Sequence, residues 1–137
     1  MAGRLFNIDF VERTDLPIYH PDVRTFEVQH AETKRVIGII YVDYYARASK
    51  RGGAWMSSFQ IQHRMDGEQI PIVINVCNFP PPTKDKPSLL SSGHVKTLFH
   101  ELGHALHGLL SSVQYPTLSG TNVVMDYVEF PSQLMEN

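Results

Sequence analysis

The chain is 137 residues long, 42% hydrophobic and 19% charged, a balance that fits one folded domain with a real core and not a disordered chain. Twelve basic and fourteen acidic residues leave a net charge of −2 and are dispersed, so no basic stripe marks a nucleic-acid surface. No apolar run approaches the roughly 18 residues of a membrane span, the first residues lack the apolar stretch of a secretion signal, and the single cysteine, Cys77, cannot form an intrachain disulfide; a cytoplasmic protein is the expectation.

The first half predicts strands. Phe6, Ile8 and Phe10 alternate with polar neighbours, as do Phe26 and Val28 before His30, and 36–43 (VIGIIYVD) is a β-branched and aromatic run. The polar stretch 31–34 suits a hairpin connection between the last two, and Tyr19-His20-Pro21-Asp22 suits a turn. A basic, glycine-ended loop (47–53, RASKRGG) precedes a loosely alternating segment, 55–63, read as a fourth strand. Asp66-Gly67 marks a further turn before a fifth strand over 70–78 (IPIVINVCN), whose Cys77 is expected to be inert core. Four prolines between Pro80 and Pro87 exclude helix and central strand there.

The second half predicts helix. Val95, Leu98, Leu102, Ala105, Leu106 and Leu109 form an apolar stripe at spacings of three and four, with Ser92 as a suitable N-cap. Gly103 interrupts this helix at a cost of about 1 kcal/mol relative to alanine, and allows another backbone to come close. The 119–122 segment (SGTN) breaks the pattern, and a second helix is expected from Val123 through Asn137. Strands followed by helices predict an α+β fold.

The first helix carries His100-Glu101-Leu102-Gly103-His104 on the side opposite its apolar stripe. Residues four apart share a helix face, so two imidazoles can meet one metal ion while Glu101 stands beside them; this is the His-Glu-x-x-His pattern of zinc peptidases. A catalytic zinc takes three protein ligands. One class places a third histidine six residues after the second, but Leu110 occupies that position. His107 lies about 10.5 Å from His100 along the axis, too far to close around an ion. A carboxylate from the second helix is the remaining solution, and Asp126, Glu129 and Glu136 share one broad face of it; spacing does not choose among them. With such a set, Glu101 is placed to take a proton from a zinc-acidified water and hand it to a leaving amine. His20, His30, His63 and His94 are scattered and read as structural.

Several segments, taken together and in order, closely resemble the thimet oligopeptidase and peptidyl-dipeptidase Dcp family of zinc metallopeptidases: FHELGHALHGL, LSGTN and DYVEFPSQLMEN, preceded by YHPDVR, KRGGAWM and NVCNF. The resemblance runs from about Leu5 to Asn137. It implies that His100, His104 and Glu129 hold one zinc ion, that Glu101 is the catalytic base, and that the substrates are short peptides. YPTLSGTN and DYVEFPSQ resemble the Dcp type most, while KRGGAWM and the LMEN ending also resemble oligopeptidase A. Met125 departs from the arginine common in Dcp-like members. Members are several times longer, so residues 1–137 are expected to be a partial, zincin-like catalytic domain. The resemblance further implies a glycine-rich loop whose tyrosines and histidine stabilise the transition state, expected outside these residues. The expected fold is therefore a small antiparallel sheet packed on the active-site helix, with a second helix carrying the third ligand. Asp126 and Glu136 are candidates for orienting the imidazoles. Gly53-Ala54-Trp55 is a candidate edge strand for pairing with peptide backbone, ordinary strand or core being the plainer reading. The rival readings are a zinc-binding but catalytically silent module, an oligopeptidase A-type endopeptidase and a metal-free structural domain.

Overall fold

The computed structural model describes residues 1–137. A short helix, α1 (Ala2–Phe6), ends at Asn7 in the left-handed region (φ 53°) and leads into β1 (Ile8–Glu12), so Phe6 belongs to the helix and not to the expected strand. Strands β2 (Arg24–His30) and β3 (Val36–Tyr45) form the expected hairpin, and β4 (Trp55–Gln60) and β5 (Ile72–Phe79) follow.

The sheet has the order β1-β2-β3-β5-β4. Its pairings are antiparallel except for β3 with β5, which are parallel. The expected antiparallel sheet is thus corrected to a mixed one. The chain leaves β3 through the 47–53 loop, lays β4 at the outer edge, and returns with β5 between them. Burial explains the choice. Strand β5 is apolar on both faces and nearly all buried, which requires a central place, whereas β4 carries Ser57, Ser58 and an exposed Phe59 and tolerates the edge.

Helix α2 (Ser92–Leu109) crosses one face of the sheet. Its N-cap is Ser91, one residue before the expected Ser92: the Ser91 hydroxyl accepts the His94 N–H at 3.2 Å, and the His94 ring faces the Ser91 N–H in return. Ala105, Leu106 and Leu109 pack against Val28, Ile40, Val42 and Val73 to form the core. Leu109 is 1% exposed, and a side chain buried so fully contributes about 1.5–3 kcal/mol. The apolar stripe is buried only in its C-terminal part; Leu102 is partly covered and Val95 stays open.

The second helix is not continuous. Helix α3 (Met125–Val128) stops at Glu129, and α4 (Phe130–Met135) resumes immediately after it. Pro131 has no N–H to offer the Tyr127 carbonyl, which instead accepts the N–H of Glu129. Met125, Phe130 and Leu134 on these two helices are exposed.

At the end of the sheet away from the β2–β3 hairpin connection, Asp43 is 1% exposed and fully partnered. It accepts from the Tyr19 hydroxyl at 2.7 Å, from both Arg47 terminal nitrogens at 2.7 and 2.8 Å, and from Lys50 Nζ at 3.1 Å. Lys50 Nζ also donates to the carbonyls of Tyr45 and Cys77. Burial alone pushes the Asp43 carboxyl up, but these donors outweigh it and hold it at about 2. The network ties β3 and β5 to the loop that sets the start of β4.

Candidate metal centre

His100 and His104 stand one turn apart on α2, their rings edge-to-face with centroids 4.8 Å apart. The other half of the site comes from α4, which lies directly on α2 at Gly103. A Cβ built there would stand 2.5 Å from Ser132 Cα and 2.7 Å from the Pro131 carbonyl oxygen, closer than any side chain permits. This glycine therefore sets the distance between the two helices, as the sequence suggested. The approach brings Glu129 Oε2 to 3.3 Å from His100 Nε2 and 3.2 Å from His104 Nε2. The three donor atoms lie within 4.8 Å of one another.

Two neighbours hold these groups in place. The Ser132 hydroxyl lies 2.6 Å from Glu129 Oε2, and it is the largest cause of the lowering of that carboxyl's pKa. Glu136 Oε1 accepts from His100 Nδ1 at 2.7 Å, while its other oxygen pairs with Lys96 Nζ at 2.9 Å. Those two partners, Lys96 first, keep Glu136 ionised to lower pH than an ordinary carboxyl. With its proton on Nδ1, His100 presents the Nε2 lone pair to the Glu129 side. Burial lowers the pKa of His104, which favours its neutral ring, and His104 Nδ1 has no partner. Two ring nitrogens and a carboxylate oxygen thus converge on one point, a set that could hold a cation.

Glu101 is 6% exposed, and its Oε2 is buried without a partner. Burial raises its pKa, the nearby Glu129 adding to the effect and His100 opposing it. It lines the same cleft as His100, His104 and Glu129, together with Ala54 just before β4, Trp55 and Met56 of β4, and Thr121, Met125 and Val128. His107 is elsewhere: its ring meets Tyr127 edge-on at 6.1 Å and lines a separate, apolar cavity with Leu106, Leu110 and Leu134. Asp126 is exposed and its side chain has no partner, so of the three carboxylate candidates Glu129 and Glu136 reach the histidines and Asp126 does not. Sequence reasoning missed Ser132; a hydroxyl three residues after a ligand candidate, on the same helix face, was the available signal.

Residues 1–137 match Peptidase family M3. The chain belongs to that family. Among M3 relatives it is 49% identical over 136 residues to the dipeptidyl carboxypeptidase of Salmonella typhimurium, covering 99% of this chain and 20% of that protein. It is 45% identical over 140 residues to oligopeptidase A of Escherichia coli K12, covering 100% of this chain and 20% of the relative. A probable cytosolic oligopeptidase A of Arabidopsis thaliana is 38% identical over 145 residues, at the same shares. The chain thus spans about a fifth of the length of the M3 relatives it matches. No helix is long and apolar enough to cross a membrane.

Proposed function

We propose that this chain carries the metal-binding core of a zinc-dependent peptidase that hydrolyses short peptides. The observation that carries the reading is the convergence of His100 Nε2, His104 Nε2 and Glu129 Oε2, with a buried, unpartnered Glu101 carboxylate in the same cleft. Two imidazoles and one carboxylate, one imidazole backed by a further carboxylate, form a donor set suited to one zinc ion. When bound by these three side chains, zinc would supply a Lewis acid that polarises a peptide carbonyl and acidifies a water.

The remaining chemistry belongs to the chain. Glu136 orients His100, Ser132 orients Glu129, and α4 keeps both at the correct height over α2. Glu101 takes a proton at Oε2 from the attacking water as its oxygen bonds to the carbonyl carbon. The same carboxyl then gives that proton to the amine nitrogen as the C–N bond breaks. Its raised pKa suits both halves of that transfer. The open edge of β4 offers backbone groups to an extended peptide alongside the cleft. The higher identity to the dipeptidyl carboxypeptidase favours removal of C-terminal dipeptides over oligopeptidase A-type cleavage. The lone, buried cysteine suits the cytoplasm.

A second reading is a zinc-binding module without turnover of its own. It is favoured by the cleft lining, where Thr121 and Trp55 are the only side chains outside the site residues that carry a hydrogen-bond donor. Turnover of a quenched short peptide by the zinc-loaded chain separates the two, with Glu101→Gln as control. Cleavage that the control abolishes supports the peptidase; equal cleavage by both removes Glu101 from the catalytic role; zinc retained with no cleavage supports the silent module.

A further inference from the structure

The start of β4 has a feature that the metal centre does not use. Tyr19, Arg47, Ser49, Lys50, Arg51 and Trp55 line a cavity of about 320 Å³ with Asp43 in its wall. Three cations share it with one carboxylate. Arg47 and Lys50 are both committed to Asp43. Arg51 is not: its guanidinium makes no ion pair and no hydrogen bond, and lies over the Trp55 ring, 4.7 Å from the centroid. Only its backbone carbonyl is engaged, by the Asn78 side chain. Stacking on an aromatic face leaves all the guanidinium donors free for a planar anion.

Trp55 belongs to this cavity and to the metal cleft at once. Its cross-strand neighbours are Val76 and, beyond it, Asp43, so its ring lies on the sheet face opposite the one from which Met56 meets the α2 core. Strand β4 pairs with β5 alone and its outer edge is open. A peptide that joins this edge antiparallel runs against β4, its C-terminal end toward Trp55 and the 47–53 loop. One bound strand would then pass the metal cleft first and reach Arg51 with its last residues.

We propose that Arg51 forms an anion subsite that reads the carboxylate at the C-terminal end of a peptide laid along β4. The proposal rests on the peptidase reading above and adds to it a substrate determinant. The Asp43 network fixes the loop, so Arg51 is held ready before a peptide arrives. A guanidinium stacked on Trp55 offers two parallel N–H donors to a carboxylate, a geometry that lysine cannot reproduce.

The test uses the zinc-loaded chain carrying Glu101→Gln, so that peptide is not consumed. Fluorescence anisotropy measures binding of a labelled pentapeptide as its free acid, as its C-terminal amide, and as an amide whose last residue is glutamate. The expected result is a free acid bound about tenfold more tightly than the neutral amide, as a charge-assisted bond requires. Arg51→Gln should bring that ratio to one with zinc stoichiometry unchanged, and Arg51→Lys should restore only part of it. A glutamate-ended amide that matches the free acid supports the subsite with a side-chain carboxylate as its source; one that binds like the neutral amide assigns it to the terminal carboxylate. Equal binding of acid and amide, no detectable peptide binding, or a ratio that survives Arg51→Gln overturns the proposal. Failure to hold zinc would instead defeat the peptidase reading, and the acid-to-amide ratio measured without metal would still decide the role of Arg51.

Discussion

Gly103→Ala tests how the site is assembled. The added Cβ would stand 2.5 Å from Ser132 Cα, where ordinary contact begins at 3.4 Å, so α4 must retreat by about 0.9 Å, the difference between the two. The obstructing atoms are backbone and cannot rotate away. Helix α4 carries Ser132 and leads into Glu136, so Glu129 loses its height over His104 and Glu136 its 2.7 Å bond to His100. Metal sites tolerate ligand errors of about 0.2 Å, and disturbing orienting groups alone costs about 10–100-fold in affinity. We expect zinc affinity to fall by about 100-fold. Folding should survive, because alanine adds about 1 kcal/mol of helix propensity to α2 against an overpacking cost of about 1–3 kcal/mol. Competition against a chromogenic chelator measures the affinity, and thermal melts of the zinc-free chain measure the fold. Gly93→Ala is the control, since the nearest atom to its Cβ is Ser91 Oγ at 3.8 Å. Zinc affinity within threefold of the parent in Gly103→Ala would refute the claim that this contact sets the third donor.

Further outcomes follow from the same geometry. Glu136→Ala should lower zinc affinity about 10–100-fold by freeing the His100 ring, read by the same titration. Ser132→Ala removes the group that most lowers the Glu129 pKa, so the carboxylate takes up its proton at higher pH and zinc should be lost sooner as pH falls, which a pH series of titrations detects. His107→Ala should leave zinc stoichiometry at one per chain by elemental analysis, because His107 lies in a different cavity. Asp43 is held at about 2 against an ordinary value of 3.8, so its network contributes fully above pH 4 and is lost as pH falls through 2. The shift corresponds to about 2 kcal/mol. Urea unfolding between pH 2 and 5 should show that acid limb, and Asp43→Asn should flatten it.

Local signals carried most of the fold. Alternation marked the half-buried outer strands and continuous β-branched runs marked β3 and β5, and together they placed every strand within a few residues. The partnership of β3 with β5 was not legible, since nothing local in 36–43 or 70–78 names a neighbour, and a chain that returns to fill a gap leaves no mark on spacing. The break at Glu129 went unread: the expected helix ran through Pro131, whose missing N–H costs the Tyr127 carbonyl its partner and sets the boundary. At the site, His100, Glu101 and His104 were readable because four residues make one turn. Glu129 came from resemblance, because three carboxylates shared a face and only the contact at Gly103 selects the one that reaches both rings. The Asp43 network left no sequence trace: an acid at the end of an apolar strand looks like a solvated strand end until Tyr19, Arg47 and Lys50 fold over it.

The claim on which the account turns is that His100, His104 and Glu129 together hold one zinc ion. Anomalous difference maps from zinc-loaded crystals, recorded on both sides of the zinc absorption edge, test it most directly. The account predicts a single peak per chain within bonding distance of His100 Nε2, His104 Nε2 and Glu129, present above the edge and nearly absent below it. A peak at His107, or ordered zinc nowhere near Glu129, would contradict it.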